Sequence, residues 1–377
     1  MSPGSDIIIV GAGIVGAACA WECARSGLRT LVLERDFPGG GTTAAGMGHL
    51  VVMDDSEAQF ALTQYSRRLW SELAPNLPRE VEYEACGTLW LAADEQEMAE
   101  ARRKEKYYTE RGVRVEMVDS ARLAVLEPNL RSGLAGGVLV TDDAVVYPPS
   151  AAHYFLQAAQ TFGAKVVSRA EVTSLQPEGS VRLADGTSHA AGRIVVATGP
   201  WSPELMPGLP VRKRKGHLVI TDRAPGFVRR QIVELGYLKS AHSMDTSSVA
   251  FNIQPRVTGQ VLIGSSRQFE ADDRAVEPAI LDRMLRRAVE YLPGLGELSA
   301  IRSWTGHRAA TPDKLPLIGP SLGSDRIWLA TGHEGLGITT SLGTGRLLAD
   351  QLLGRTPEIS ATPYLPARFA HGGGTHA

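Results

Sequence analysis

The apolar positions of this chain change period several times, and each change marks an element. After Asp6, residues 6–10 run apolar and β-branched without a break, the pattern of a strand covered on both faces in a parallel sheet. A helical run follows and stops at Ser26-Gly27, and residues 30–34 repeat the unbroken apolar pattern before ending on Glu34. Residues 57–75 carry a helical period, residues 84–92 read as a strand, and residues 94–111 as a charged helix expected to present a solvated face with no chemistry. A helix is predicted from about 150 to 162, stopped by Gly163, then a short strand at 165–168. Residues 171–183 and the run from 188 onward, with Asp185-Gly186 as the turn, predict an antiparallel meander that leads into an apolar strand ending at Gly199. Strand-like runs and turns alternate over 211–274, which predicts a mostly antiparallel sheet with a helix at 279–291 lying on it. A strand at 327–331, a glycine loop and a helix at 338–353 complete the pattern.

Chemistry first enters between the two leading strands, where Gly11-x-Gly13-x-x-Gly16 opens the first helix. Gly11 permits a tight turn, Gly13 lets backbone N–H groups approach a pyrophosphate, and Gly16 lets the helix pack close to the strand. The helix N-terminus then faces the phosphates with its positive dipole end. A carboxylate at Glu34, at the end of the second strand, can accept both ribose hydroxyls of an adenosine and disfavours a 2′-phosphate. The ligand is therefore FAD or NAD. The fold class is α/β: a doubly wound, Rossmann-like parallel sheet with a β-meander, plus a second α+β unit. The expected division gives 1–82, 148–208 and 300–377 to a discontinuous dinucleotide domain, and 83–147 and 209–299 to a substrate domain. The glycine-rich stretch after residue 38, through Gly41, Gly46, Gly48 and His49, would let a planar or charged ligand lie against backbone.

Composition narrows the picture further. With 377 residues the chain can bury two cores. Lys and Arg number 39 against 41 Asp and Glu, so no general attraction to nucleic acid is implied. Of the three cysteines, Cys19 and Cys23 fall on the first helical run, where small apolar packing is their expected role, and no disulfide framework or metal-ligand spacing is present. The apolar N-terminus lacks a basic start and carries Asp6, so it does not read as a signal peptide. No stretch has the length of a membrane span, and the expectation is a soluble cytoplasmic protein.

Three separated blocks resemble one family, the FAD-dependent D-amino-acid oxidase, glycine oxidase and sarcosine oxidase group. Gly11-x-Gly13-x-x-Gly16 with Glu34-Arg35 resembles its adenosine and pyrophosphate site, and the run from Ile194 through Gly199 to Trp201 resembles its middle flavin motif. Trp304-x-Gly306-x-Arg308 through Gly332-His333 to Gly337 is similar to its C-terminal flavin and substrate segment. The stretch from Asn252 to Gln268, taken with the loop from Gly332 to Gly337, is most similar to dehydrogenase subunits that oxidise D-hydroxyproline and to related opine- and cyanide-forming subunits.

The resemblance implies that FAD contacts Gly11, Gly13, Ile14, Val15, Gly16, Glu34 and Arg35 at one end. It implies further contacts with Gly41, Thr42, Thr43, Ala45, Gly46, Met47, Val172, Ala197, Thr198, Gly199 and Trp201, and with Gly306, Gly332, His333, Glu334, Gly335, Leu336, Gly337 and Ile338. FAD is expected to be non-covalent, because the family's flavin-attaching cysteine is missing after Arg308. Implied catalytic positions are Arg308 for a substrate carboxylate, Tyr237 as a second donor and His49 beside the flavin. Gly335 stands where glycine oxidase carries a second arginine. The implied reaction removes a hydride from the carbon bearing an amine in a D-amino acid or cyclic imino acid, with electrons passing to a partner subunit or to oxygen. The alternatives are a glycine-, sarcosine- or opine-type oxidase, and a C–O-oxidising glycerol-phosphate-type enzyme for which the basic run from Arg212 to Lys215 would bind phosphate. Lys239 is the cation considered for oxygen activation, with a solvated lysine as the bland reading.

Overall fold

The computed structural model describes residues 4–236, 247–269 and 271–370. Its first sheet is built on β1 (Ser5–Val10), flanked by β2 (Thr30–Glu34) and β8 (Lys165–Ser168) on one side. On the other lie β11 (Ser188–Val196), β18 (Ile327–Thr331) and β17 (Leu317–Pro320). Along this row of six strands all pairings are parallel except that of β17 with β18. Strand alternation divides the side chains of β1 between two cores. Ile7 and Ile9 pack toward helices α1 (Ile14–Arg25), α4 (Pro148–Thr161) and α6 (Gly337–Leu352). Ile8 and Val10 pack toward the meander of β9 (Val172–Gln176) and β10 (Ser180–Leu183), where they meet Val172, Val181 and Leu183. Both faces are covered, so an unbroken apolar strand is what this position requires.

The second sheet has the order β16 (Ala300–Ala310), β12 (Arg212–Arg223), β15 (Gln260–Gln268), β14 (Ser247–Pro255), β13 (Gln231–Glu234), β4 (Thr88–Ala92), β6 (Gly136–Val140), β5 (Val115–Asp119). Only β13 and β4 run parallel. Helix α5 (Pro278–Tyr291) covers one face, its Tyr291 ring stacked on Phe251 at 4.6 Å. A small ribbon of β3 (His49–Leu50) and β7 (Ala144–Val145) completes the strands, and helix α2 (Glu57–Leu73) packs against α6.

Two boundaries and one exposure differ from expectation. The strand expected over 84–92 pairs regularly only from Thr88, because Gly87 adopts φ +75° and breaks the ladder after the isolated Glu84 bridge to Val145. A division at residue 300 would part β16 from β12, its ladder partner from Arg212 to Thr221. We therefore propose the two-domain division with β16 moved to the second unit. The charged helix, α3 (Glu95–Thr109), is less solvated than its composition suggests.

Lys104 on α3 is fully buried, ion-paired to Asp54, and lies 4.7 Å from the Trp90 ring centroid. Its long apolar stem packs while its ammonium meets an acid from a distant segment, which local charge pattern does not reveal. Arg103 also reaches Asp54, at 2.9 Å. Lys104→Met should lower unfolding free energy by about 3 kcal/mol, the low end for a broken buried pair because Arg103 remains. Adding Asp54→Leu should recover most of that loss in urea unfolding. A double variant no more stable than the single one would show that the ion pair is not the cause.

Candidate active site

One continuous cavity of about 540 Å³ runs from Glu34 and Arg35, past the glycine turn, to the second sheet at Arg308. At its first end, Glu34 is already oriented: Ala12 N–H donates to one carboxylate oxygen at 2.7 Å and Asp36 N–H to the other at 2.9 Å. Each oxygen keeps a lone pair for a further donor. Ile14 N–H, in the first turn of α1, donates to Thr43 Oγ1 at 3.0 Å, which locks the glycine turn to the loop after β2. Gly13, Ile14 and Val15 line the cavity, so the positive end of α1 faces it. A Cβ at Gly11 would sit 2.7 Å from the Ala197 carbonyl oxygen, which explains why a glycine stands there.

The loop carrying Met47 to His49 bridges the two sheets. Thr42 Oγ1 donates to the His307 carbonyl at 2.7 Å, Gln254 Nε2 donates to the Met47 carbonyl at 2.9 Å, and Thr339 Oγ1 donates to the His49 carbonyl at 2.8 Å. The N-terminus of α6 arrives at the same place, with Leu336, Gly337 and Ile338 in the cavity wall. A second helix end therefore directs positive dipole at the ligand.

At the far end, the pleat of β12 sorts side chains by parity. Arg214, Gly216 and Leu218 of β12, with Gly306 and Arg308 of β16, line the cavity. Lys215, from the same basic run as Arg214, is fully buried elsewhere, on Asp273 at 2.9 Å and Glu277 at 3.1 Å. The run from Arg212 to Lys215 is thus divided by the strand and does not form one phosphate-binding cluster. Arg308 lies across β12, where a Cβ at Gly216 would come within 2.5 Å of its Nη1, and donates to the Ser266 carbonyl at 3.1 Å.

Burial sets the charge states here. It pulls the Arg308 guanidinium down to about 10. Arg214 falls to about 9 through burial and the neighbouring charge of Arg308. Burial lowers His333 to about 3, and burial with the Arg308 charge lowers His49 to about 4, so both imidazoles are neutral at ordinary pH. His333 Nε2 lies 3.0 Å from Thr344 Oγ1 within α6. His49 Nε2 has no hydrogen-bond partner among the described residues, nor do Gln231 Oε1, Asn252 Oδ1 and Trp90 Nε1, all four residues lining the cavity. Buried polar atoms without partners in one cavity wall mark where a polar ligand belongs.

The residues fit a flavin dinucleotide: an acid held for a ribose, two helix ends along the path, and a glycine-lined wall widening toward a polar, cationic end. Nearly all the expected flavin positions line this cavity, from Gly11 through Val172 and Trp201 to Ile338. Gly16 and Gly332 do not. A Cβ on Gly16 would lie 2.0 Å from the Gly11 carbonyl oxygen, and one on Gly332 2.6 Å from Thr311 Cγ2, so both shape the wall from behind. Tyr237 and Lys239 lie outside the described residues. Sequence reasoning missed Trp90, Gln231, Asn252 and Arg267 as lining residues. The available signal was parity along the strands: Arg214, Gly216 and Leu218 alternate onto one face.

Comparison with known proteins agrees with this geometry. The sequence model of the family described as FAD dependent oxidoreductase, DAO, matches residues 6–351. Glycine oxidase of Pseudomonas aeruginosa is 30% identical, over 96% of this chain and 98% of that protein. The hydrogen cyanide synthase subunit HcnC of Pseudomonas aeruginosa is 26% identical, over 97% and 96%. The crystal structure of glycine oxidase from Geobacillus kaustophilus superposes with a TM-score of 0.87 at 25% identity, covering 97% of this chain and 98% of that one. With strand, glycine turn, Glu34 and a continuous cavity in this order, and a family model matching residues 6–351, the chain belongs to the DAO family of FAD-dependent oxidoreductases.

Proposed function

We propose that this flavoenzyme oxidises the C–N bond of a D-amino acid or cyclic imino acid to the imine, with Arg308 anchoring the substrate carboxylate. The observation that carries the reading is a guanidinium packed into the wall of the FAD cavity, whose lining also holds four polar groups without partners among the described residues. When bound, FAD supplies the two-electron acceptor. The residues of the chain do the rest. Arg308 presents a planar fork that holds a carboxylate bidentately and so fixes which C–H bond faces the cofactor. Its charge, with that of Arg214, disfavours the substrate's ammonium form and helps the amine shed a proton to water. The nitrogen lone pair is then free to form the C=N bond as the C–H bond breaks. At about 4, His49 is too weak a base to take that proton, and it serves as a neutral hydrogen-bonding wall. Cys19, Cys23 and Cys86 are absent from the cavity lining, in keeping with non-covalent FAD.

The electron acceptor belongs to the same reading. We place a partner protein or quinone-like acceptor ahead of oxygen, supported by the likeness to a protein named as a subunit, HcnC. No described helix is long and apolar enough to cross a membrane.

Three outcomes test this reading. Glu34→Ala removes a carboxylate whose charge-assisted hydrogen bonds are each worth roughly 1.5–3 kcal/mol, so FAD retained through gel filtration should fall sharply; a fully flavin-loaded variant would remove Glu34 from the ribose site. Arg308→Lys keeps charge but loses the fork, so KM should rise at least tenfold at normal flavin content. Unchanged kinetics would place the carboxylate elsewhere. Finally, substrate should bleach the flavin quickly without air, air should restore it slowly, and an artificial dye should restore turnover. Rapid stoichiometric hydrogen peroxide would instead make the isolated chain a self-sufficient oxidase.

A further inference from the structure

The ladder between β12 and β15 opens behind Arg308. Lys215 pairs with Gln268 and Val219 with Ile263, so residues 216–218 of β12 face 264–267 of β15, one residue more, and the register shifts between them. A bulge of this kind re-aims the groups around it. The Ser266 hydroxyl accepts the His217 backbone N–H at 2.9 Å, in place of a ladder carbonyl, and the Ser266 carbonyl accepts from Nη1 of Arg308 at 3.1 Å. One residue thus closes the gap in the ladder and holds the guanidinium.

His217 fixes that residue from behind. Arg214, Gly216 and Leu218 line the cavity, whereas His217, between them in sequence, is fully buried outside the lining. Its Nε2 lies 3.0 Å from the backbone N of Glu277, the residue before α5. A backbone N–H can only donate, so Nε2 accepts and the ring proton sits on Nδ1. Nδ1 is 2.8 Å from the Ser266 hydroxyl oxygen and therefore donates to it. That oxygen receives two donors from one histidine, which fills both of its lone pairs. Burial, with the Lys215 charge, pulls the imidazole below its usual value, so the neutral ring this arrangement needs is the one present at ordinary pH. The far end of the bridge is itself held: Lys215 Nζ reaches Asp273 at 2.9 Å and Glu277 at 3.1 Å, and Gln268 Nε2 donates to Glu277 at 2.8 Å.

We propose that His217 is a positioning residue for the substrate carboxylate: by bridging Glu277 to Ser266, it fixes the carbonyl that orients Arg308. This role rests on Arg308 as the carboxylate anchor. An arginine side chain turns about several bonds, and its planar fork meets a carboxylate in two parallel hydrogen bonds only when its orientation is held. Releasing Ser266 leaves the charge in place and loosens the fork.

The test uses the FAD-loaded enzyme with propionate, cyclopentanecarboxylate and benzoate, which present a carboxylate and no amine to oxidise. His217→Phe keeps a ring and loses both side-chain bonds, and Ser266→Ala loses the hydroxyl but keeps the carbonyl. His217→Gln keeps one donor and one acceptor on a planar amide. Each variant is checked for flavin content and urea unfolding, and binding is read from the shift in flavin absorbance. His217→Phe and Ser266→Ala should each weaken carboxylate binding by roughly fivefold or more, and His217→Gln should return it to within about twofold of the parent enzyme. If His217→Phe fails to hold FAD, Ser266→Ala, the smaller change, decides. Parent-like binding in Ser266→Ala, or a His217→Gln variant as weak as His217→Phe, would overturn the proposal. Carboxylate binding that is absent from the parent enzyme or unchanged in Arg308→Lys would overturn the anchoring reading, and the role of His217 with it. Weakened binding in Arg308→Lys beside unchanged binding in the His217 and Ser266 variants would remove the positioning role alone.

Discussion

The site depends on one close approach. The carbonyl oxygen of Gly11 sits where a Cβ on Gly16 would fall, at 2.0 Å, so α1 can press against the turn that follows β1. A side chain at Gly16 would lift the helix away and withdraw the N–H groups of its first turn from the cavity, and one at Gly11 would collide with the Ala197 carbonyl instead. The Ala12 bond to Glu34 and the Ile14 bond to Thr43 then fasten the neighbouring segments to that turn. One steric allowance thus orders Glu34, the helix end and the loop that crosses to the second sheet.

That loop is the structural joint of the molecule. Its carbonyls and hydroxyls bond to β14, β16 and α6 at Met47, Thr42 and His49, so the two ends of the cavity share one wall. The joint explains how two sheets assembled from distant pieces of chain line one cavity. Strand parity in the second sheet does the rest. Arg214 turns to the ligand and Lys215 to Asp273 and Glu277, although they are adjacent in sequence.

Electrostatics follow from this placement. Burial shifts Arg308 and His333 toward the neutral form, and burial with the Arg308 charge does the same to Arg214 and His49. Cations held this way cost stability, and the fold pays that cost only at the place where an anion can answer them. His49 and His333, in contrast, are kept neutral.

The sequence alone determined the elements whose signal is local. β1, the glycine turn, Glu34, the meander turn at Asp185-Gly186 and the strand-loop-helix ending in α6 are legible because backbone sterics and unbroken apolar runs need no distant partner. It also pointed to Arg308 and to the loop through His49. Only the tertiary structure decided that β16 belongs with the second sheet, that Lys104 is buried on Asp54, and that Arg214 and Arg267 join Arg308. Each of these depends on a residue far away in sequence. A charge reads the same in a pattern whether it meets solvent, a buried acid or another arginine across a ladder, and only folding brings the partner that gives it a role.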